Sequence, residues 1–194
     1  DAEQHGQHVS IDARNVVICD GGFQANLDLL KQHIAPSPKQ IRQRNAQTAK
    51  GDGMTMAQQV GAKLVGMNRF YGHVQSIDAI TNPALWPYPV LDHPMCAGIT
   101  VNARGRRFAD EGLGGVYLAN QIAHRDDPLD CHVIFDSAIW DIQGKQSRIP
   151  ANPHLLKGGA TMIEAPTIAA LADRLRQCLG RKRPSRAWGR HTTL

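Results

Sequence analysis

The chain has 194 residues, room for one domain or one and a half around a true apolar core. Its formal charge of +5 sits in one place: Arg181, Lys182, Arg183, Arg186 and Arg190 follow Gly180 with no acid among them, and the remaining 17 cations match the 17 acids. The body is therefore neutral, which makes nucleic acid an unlikely partner, and no apolar run approaches the ~20 residues of a membrane span.

Residues 1–15 are polar, with scattered apolar positions at Val9 and Ile11, and read as a β-ribbon. The run Val16-Val17-Ile18-Cys19-Asp20 then stops at Gly21-Gly22-Phe23. A short β-branched run of this kind predicts a buried strand. The paired glycines predict a sharp turn that leaves bare main chain against whatever lies beside it. Residues 26–34 predict a helix with Asn26 as its N-cap. Strand, glycine turn and helix together can present backbone N–H groups to a phosphate or dinucleotide, although a tight turn needs no ligand.

Residues 35–50 read as a long loop carrying Lys39, Arg42, Arg44 and Lys50. Gly51-Asp52-Gly53 opens a predicted helix over 54–61, and residues 62–67 predict a second strand. Residues 68–92, with Pro83, Pro87 and Pro89, read as an ordered but irregular loop. A strand over 97–102 turns at 103–106 and returns through 107–109. A helix follows over 114–124, a strand over 131–135 and a short helix over 136–140 capped by Asp136. Residues 143–153 read as a polar loop, 161–164 as a short strand and 167–178 as an amphipathic helix.

Four cysteines, Cys19, Cys96, Cys131 and Cys178, stand far apart with no Cys-x-x-Cys pair. This spacing indicates neither a zinc site nor a redox dithiol. Cys19 and Cys131 sit in apolar runs and read as small buried hydrophobes. Such usage suits a reducing, cytoplasmic setting.

Three places can carry chemistry. Asp52 between two glycines either accepts from a ligand hydroxyl or caps its helix. His73, in Arg69-Phe70-Tyr71-Gly72-His73, either donates to a substrate carbonyl or carboxylate or is tied into loop hydrogen bonds, and Tyr71 competes for any acid role. Arg107 either binds an acidic substrate or pairs with the nearby Asp110-Glu111 to hold a turn.

These motifs combine in one order. An apolar strand runs into Gly-Gly-Phe, Gly-Asp-Gly opens a Met-x-Met-Ala helix ending in Gly-Ala, and a hairpin reads Ile-x-Val-Asn-x-x-Gly-Arg-Arg-Phe-x-x-Glu. Phe135 to Trp140 and Ser147 to Asn152 follow. In this the chain resembles the fumarate reductase and succinate dehydrogenase flavoproteins, in the branch with ketosteroid and tricarballylate dehydrogenases, over residues 8–175. The resemblance implies FAD as cofactor, with Gly21, Gly22 and Asp52 on its side. It implies His73 as a substrate-side group and a small carboxylate or ketone as substrate; Tyr71 and Arg107 stay as further catalytic candidates from the reading of the residues. The implied fold class is α+β: a partial α/β FAD-domain remnant over 1–67 and a capping-type α+β module over 68–178. A basic, disordered tail would follow over 179–194.

The departures carry expectations of their own. Asp20 stands where the family has Thr or Ser, and Lys50 where it has Thr. No Arg follows Glu111, so the arginine proton donor of fumarate reductases has no counterpart there. The pyrophosphate motif Gly-x-Gly-x-x-Gly does not occur in these residues, so this piece alone is expected to bind FAD weakly or not at all. The alternative is a non-catalytic capping-type module, self-associating through apolar faces meant for a missing partner. The Arg-rich end is what a truncated or frame-shifted reading frame looks like.

Overall fold

The strongest local signals become elements in the computed structural model, which describes residues 2–146, 151–180 and 192–193. The ribbon is a hairpin of β1 (Ala2–Gln4) and β2 (Gln7–Val9). Helix α1 (Leu27–His33) starts where Asn26 accepts the N–H groups of Asp28 and Leu29, each at 3.1 Å, satisfying two donors that the first turn leaves free. Helix α2 (Asp52–Gln59) starts two residues earlier than its apolar spacing suggests. Its N-cap is Gly51 at φ 89°, so Asp52 is the first helical residue and not the cap.

The rest of the chain builds a second group of elements. These are α3 (Asp92–Ala97), β3 (Ile99–Asn102), α4 (Gly115–Ala123), β4 (Cys131–Ile134) and α5 (Ser137–Ile142). They continue with α6 (Ala151–Lys157), β5 (Met162–Ile163), α7 (Ile168–Gly180) and β6 (Thr192–Thr193). Asp136 caps α5 by accepting from Ile139 N at 2.8 Å. The sheet order is β3-β4-β6-β5, with β3 antiparallel to β4 and the other pairs parallel. Residues 143–153, read as a loop, enter α6 at Ala151.

Two apolar clusters organise the molecule. Leu85, Leu91, Met95, Leu118, Val133, Phe135 and Leu155 form the larger one, where α3, α4, β4 and α6 meet. Leu30, Ile34 and Ala35 pack with Ala123 of α4 in the smaller one, which ties α1 to the second group. The 68–92 stretch is irregular, as its prolines require, but ordered: short 3-10 turns at Ile77–Ile80 and Pro83–Leu85 bring Ala79 and Leu85 into the larger cluster.

Two predicted strands are absent. Residues 16–20 and 62–67 carry no ladder pairing among the described residues, and Val16, Val17 and Val65 are 81%, 83% and 78% exposed. The physical reason is that a strand is stable only against a neighbouring strand, and no described strand pairs with either run; the start of α2 meets Ile18 and Asp20 without forming a ladder. Cys19 is consequently exposed and is not a buried hydrophobe. Most of the basic tail, residues 181–191, lies outside the described residues. No described helix is long and apolar enough to cross a membrane.

Candidate active site

The site begins with the segment that joins the two groups of elements. Asn120, buried on the otherwise apolar face of α4, grips both backbone groups of Phe70. Its Oδ1 accepts from Phe70 N at 3.0 Å, and its Nδ2 donates to Phe70 O at 2.8 Å. His124 Nε2 lies 3.0 Å from Asn68 O. Asp92, the first residue of α3, finishes the job: Oδ1 accepts from Val74 N at 3.1 Å, and Oδ2 lies 2.6 Å from His73 Nδ1. Main chain is thus held on both sides of His73. A carboxylate facing Nδ1 places the proton on that nitrogen and leaves Nε2 for other partners. The imidazole is one-quarter exposed, and the ring of Tyr71 meets it edge-on at 5.2 Å.

Gly115 makes room for this dyad. A Cβ there would stand 2.3 Å from Asp92 Cγ. Gly115→Ala is therefore expected to cost about 1–3 kcal/mol of stability through overpacking and to separate Asp92 from His73. Thermal melting together with loss of the downfield His73 Nδ1–H proton signal would check both.

His73 and Tyr71 line a cavity of about 630 Å³ between the 22–45 segment, the 69–80 segment, α4 and β4. Leu30, Ile34, Leu91, Met95, Ile122 and Val133 give it a largely apolar wall, interrupted by polar side chains such as Gln24, Gln43 and Gln75, and no Asp or Glu lines it. Cys131 also lines the cavity, and burial pushes its thiol up to about 12. It stays protonated and inert near neutral pH.

Gly22 lines the cavity at its other side. Gly21, at φ 87°, packs toward Ala49. Ala25 N donates to Ala49 O at 2.9 Å and Asn26 Nδ2 to Lys50 O at 3.1 Å. Asp20 Oδ2 accepts from Gly53 N at 2.7 Å. The glycine turn and the start of α2 are therefore brought together, with Asp52 exposed beside them and outside the cavity wall. Asp20, the odd residue before the glycines, points its carboxylate at the N-terminus of α2. That end is partly positive, so the charge is satisfied internally.

Arg107 lies elsewhere. Its Nε and Nη2 donate to Glu111 Oε2 at 2.8 and 2.5 Å. Glu111 is 3% exposed, and its Oε1 accepts from Thr100 N at 2.6 Å. The pair holds the β3 hairpin to the 3-10 turn at Glu111–Leu113 and does not reach the cavity wall.

Residues 1–174 match the family model described as the FAD binding domain. The chain belongs to this family. Fumarate reductase 1 of Saccharomyces cerevisiae is 30% identical over 112 residues, covering 56% of this chain and 24% of that protein. The 4-oxocyclohexanecarboxylate 2-dehydrogenase of Sinomonas cyclohexanicum is 29% identical over 178 residues, covering 85% of this chain and 30% of that protein. A probable fumarate reductase of Shewanella frigidimarina is 32% identical over 72 residues, covering 36% of this chain and 12% of that protein. The chain thus spans less than a third of the length of each. No solved structure matches.

The residues fit one end of FAD. Gly22 gives the cavity a stretch of wall without a side chain, and no carboxylate there would repel the cofactor. A Cβ on Gly22 would meet Gln24 Oε1 at 2.9 Å. The phosphate end is less well served: at the N-terminus of α2 Asp20 already takes the N–H of Gly53.

Asp92 and Asn120 escaped the sequence reading. Asp92 is nineteen residues from His73 with an irregular loop between them. Asn120 left one signal, an amide placed on an apolar helix face.

Proposed function

We propose that these residues form the substrate-side wall, and part of the flavin-side wall, of an FAD-dependent oxidoreductase. It acts on a carbon–carbon bond next to a carbonyl or carboxylate. In this reading residues 68–178 are the capping module and residues 1–67 a piece of the FAD domain. Gly21, Gly22 and Asp52 lie on the cofactor's side, and His73 lies on the substrate's. When bound, FAD supplies the hydride acceptor or donor.

The observation that carries the reading is the 2.6 Å contact between Asp92 and a histidine on the cavity wall. With Nδ1 held, the neutral ring offers Nε2 to a proton next to a carbonyl. The protonated ring, its charge balanced by Asp92, donates a hydrogen bond to the carbonyl oxygen. The apolar residues of the wall lower the local dielectric and strengthen both interactions. Tyr71, 77% exposed, supports the histidine ring by its edge. Arg107 is left out of the mechanism because Glu111 engages it.

The test is anaerobic reoxidation of the reduced, flavin-loaded protein, followed at 450 nm. Reoxidation by α,β-unsaturated carboxylates or ketones is the expected result. Reoxidation no faster than that of free reduced flavin would contradict the proposal.

A second reading rests on the exposed Val16, Val17, Val60 and Val65. Apolar surface of this kind favours a self-associating, non-catalytic module. It predicts a colourless oligomer by size exclusion that Val16→Asp with Val17→Asp returns to monomer. A monomer before substitution would dismiss it.

A further inference from the structure

The cavity has a charged mouth as well as an apolar body. Arg42, Arg44 and Arg69 all line it and all are exposed. Arg42 lies over the ring of Trp86, 4.5 Å from its centroid, and donates to Ala79 O. Arg44 lies over Tyr88 at 5.2 Å. Aromatic rings thus fix two of the three guanidiniums without neutralising them. None of the three is paired with a carboxylate among the described residues. Three cations without a carboxylate partner among the described residues, at the mouth of a wall free of acids, set a local field that draws in anions.

The interior asks for something different. The space of about 630 Å³ falls within the roughly 300–1,000 Å³ that encloses most of a drug-sized molecule; in the flavin reading the ring takes the part beside Gly22 and the substrate the part beside His73. Leu30, Ile34, Leu91, Met95, Ile122 and Val133 offer hydrocarbon, and apart from the arginines and His73 the polar side chains on the wall, Gln24, Gln40, Gln43, Asn45, Gln75 and Ser76 among them, carry no charge. A small dianion would leave that surface wet and place one of its charges against it, which costs free energy.

We infer that the cavity takes an amphipathic monoanion, a molecule with a long or broad hydrocarbon body and one carboxylate held at the mouth by Arg42, Arg44 and Arg69. The choice of this molecule as substrate rests on the flavin reading above, but its binding does not. Each methylene that leaves water is worth about 0.8 kcal/mol, roughly a fourfold gain in affinity. The arginines contribute through charge-assisted hydrogen bonds to the carboxylate.

The test is calorimetric titration of the chain, without flavin, with straight-chain carboxylates from butyrate to decanoate, with decanol and with succinate. The expected result is affinity rising about threefold to fourfold per methylene, with decanoate ahead of both decanol and succinate. Arg44→Gln with Arg69→Gln is expected to weaken decanoate about tenfold and leave decanol unchanged. Val16→Asp with Val17→Asp, on the exposed flank, is expected to change neither. Succinate binding as tightly as decanoate would overturn the inference. So would affinity independent of chain length, or decanoate binding lost with the Val16 and Val17 changes. If decanoate fails while small enones still reoxidise reduced flavin, the substrate class is wrong and the flavin reading stands. If decanoate binds as described and no flavin chemistry follows, the reverse holds.

Discussion

On the function proposed above, flavin-dependent turnover is expected to fall about 10²–10⁴-fold when His73 is replaced by alanine, the usual loss on removing a positioned acid–base group. The fold should survive, since His73 belongs to neither apolar cluster. Asp92→Asn is expected to give a smaller loss with a distinct signature. The amide can still approach Nδ1, but it no longer requires the proton there, so the tautomer population shifts and kcat falls more than KM changes. Tyr71→Phe keeps the edge-on ring and removes only an exposed hydroxyl, so less than a fivefold effect is expected. Steady-state kinetics over a pH series checks all three. A Tyr71→Phe loss as large as that of His73→Ala would exchange their roles.

The largest stability effect is expected at Glu111. Its carboxylate is buried, and it bridges Arg107 to the backbone of β3 through Thr100. Glu111→Ala leaves the Thr100 N–H without its acceptor and a void beside it, at a cost of about 2–4 kcal/mol. In a protein of this size that lowers Tm by about 5–15 °C. The same residue sets an acid limit. Burial pushes the carboxyl upward, but the Arg107 guanidinium and the Thr100 N–H outweigh it and hold the carboxyl below its usual 4.5. A folded value below the unfolded one means the stabilisation is complete above the unfolded value and is lost as pH falls through the folded one. Melting temperature should therefore drop on acidification below about pH 4.5, and Glu111→Gln should flatten that part of the curve. An unchanged acid limb in Glu111→Gln would move the effect to other carboxylates.

Features whose cause lies within a few residues were legible in the sequence. Asn26 and Asp136 cap the helices they precede, and the turn after Asn102 closes the β3 hairpin. Gly-Gly-Phe, Gly-Asp-Gly and the Gly-Arg-Arg-Phe hairpin pointed to the FAD binding family, to which the chain belongs. Val16 to Asp20 was misread because β-branched periodicity records that a strand has neighbours without supplying them. The described residues leave that run exposed. Arg107 and Glu111 were legible as a pair, but not the burial of Glu111, which depends on Thr100 across the hairpin. Asp92 was out of reach because a carboxylate at a helix start looks like ordinary first-turn charge. Only the path of the 68–92 segment brings it to His73. Asp20 was visible as a departure, and its destination, the N–H of Gly53, was not.

The central claim is that the flavin ring and the substrate meet in the cavity between Gly22 and His73. Amide chemical-shift mapping of the 15N-labelled chain, titrated with FAD into the millimolar range, tests this most directly because it reads weak binding residue by residue. The account predicts shifts concentrated at Gly21, Gly22, Phe23 and residues 69–76, with His73→Ala changing only the latter group. Shifts confined to α5 and α7, or none anywhere at saturating flavin, would contradict it.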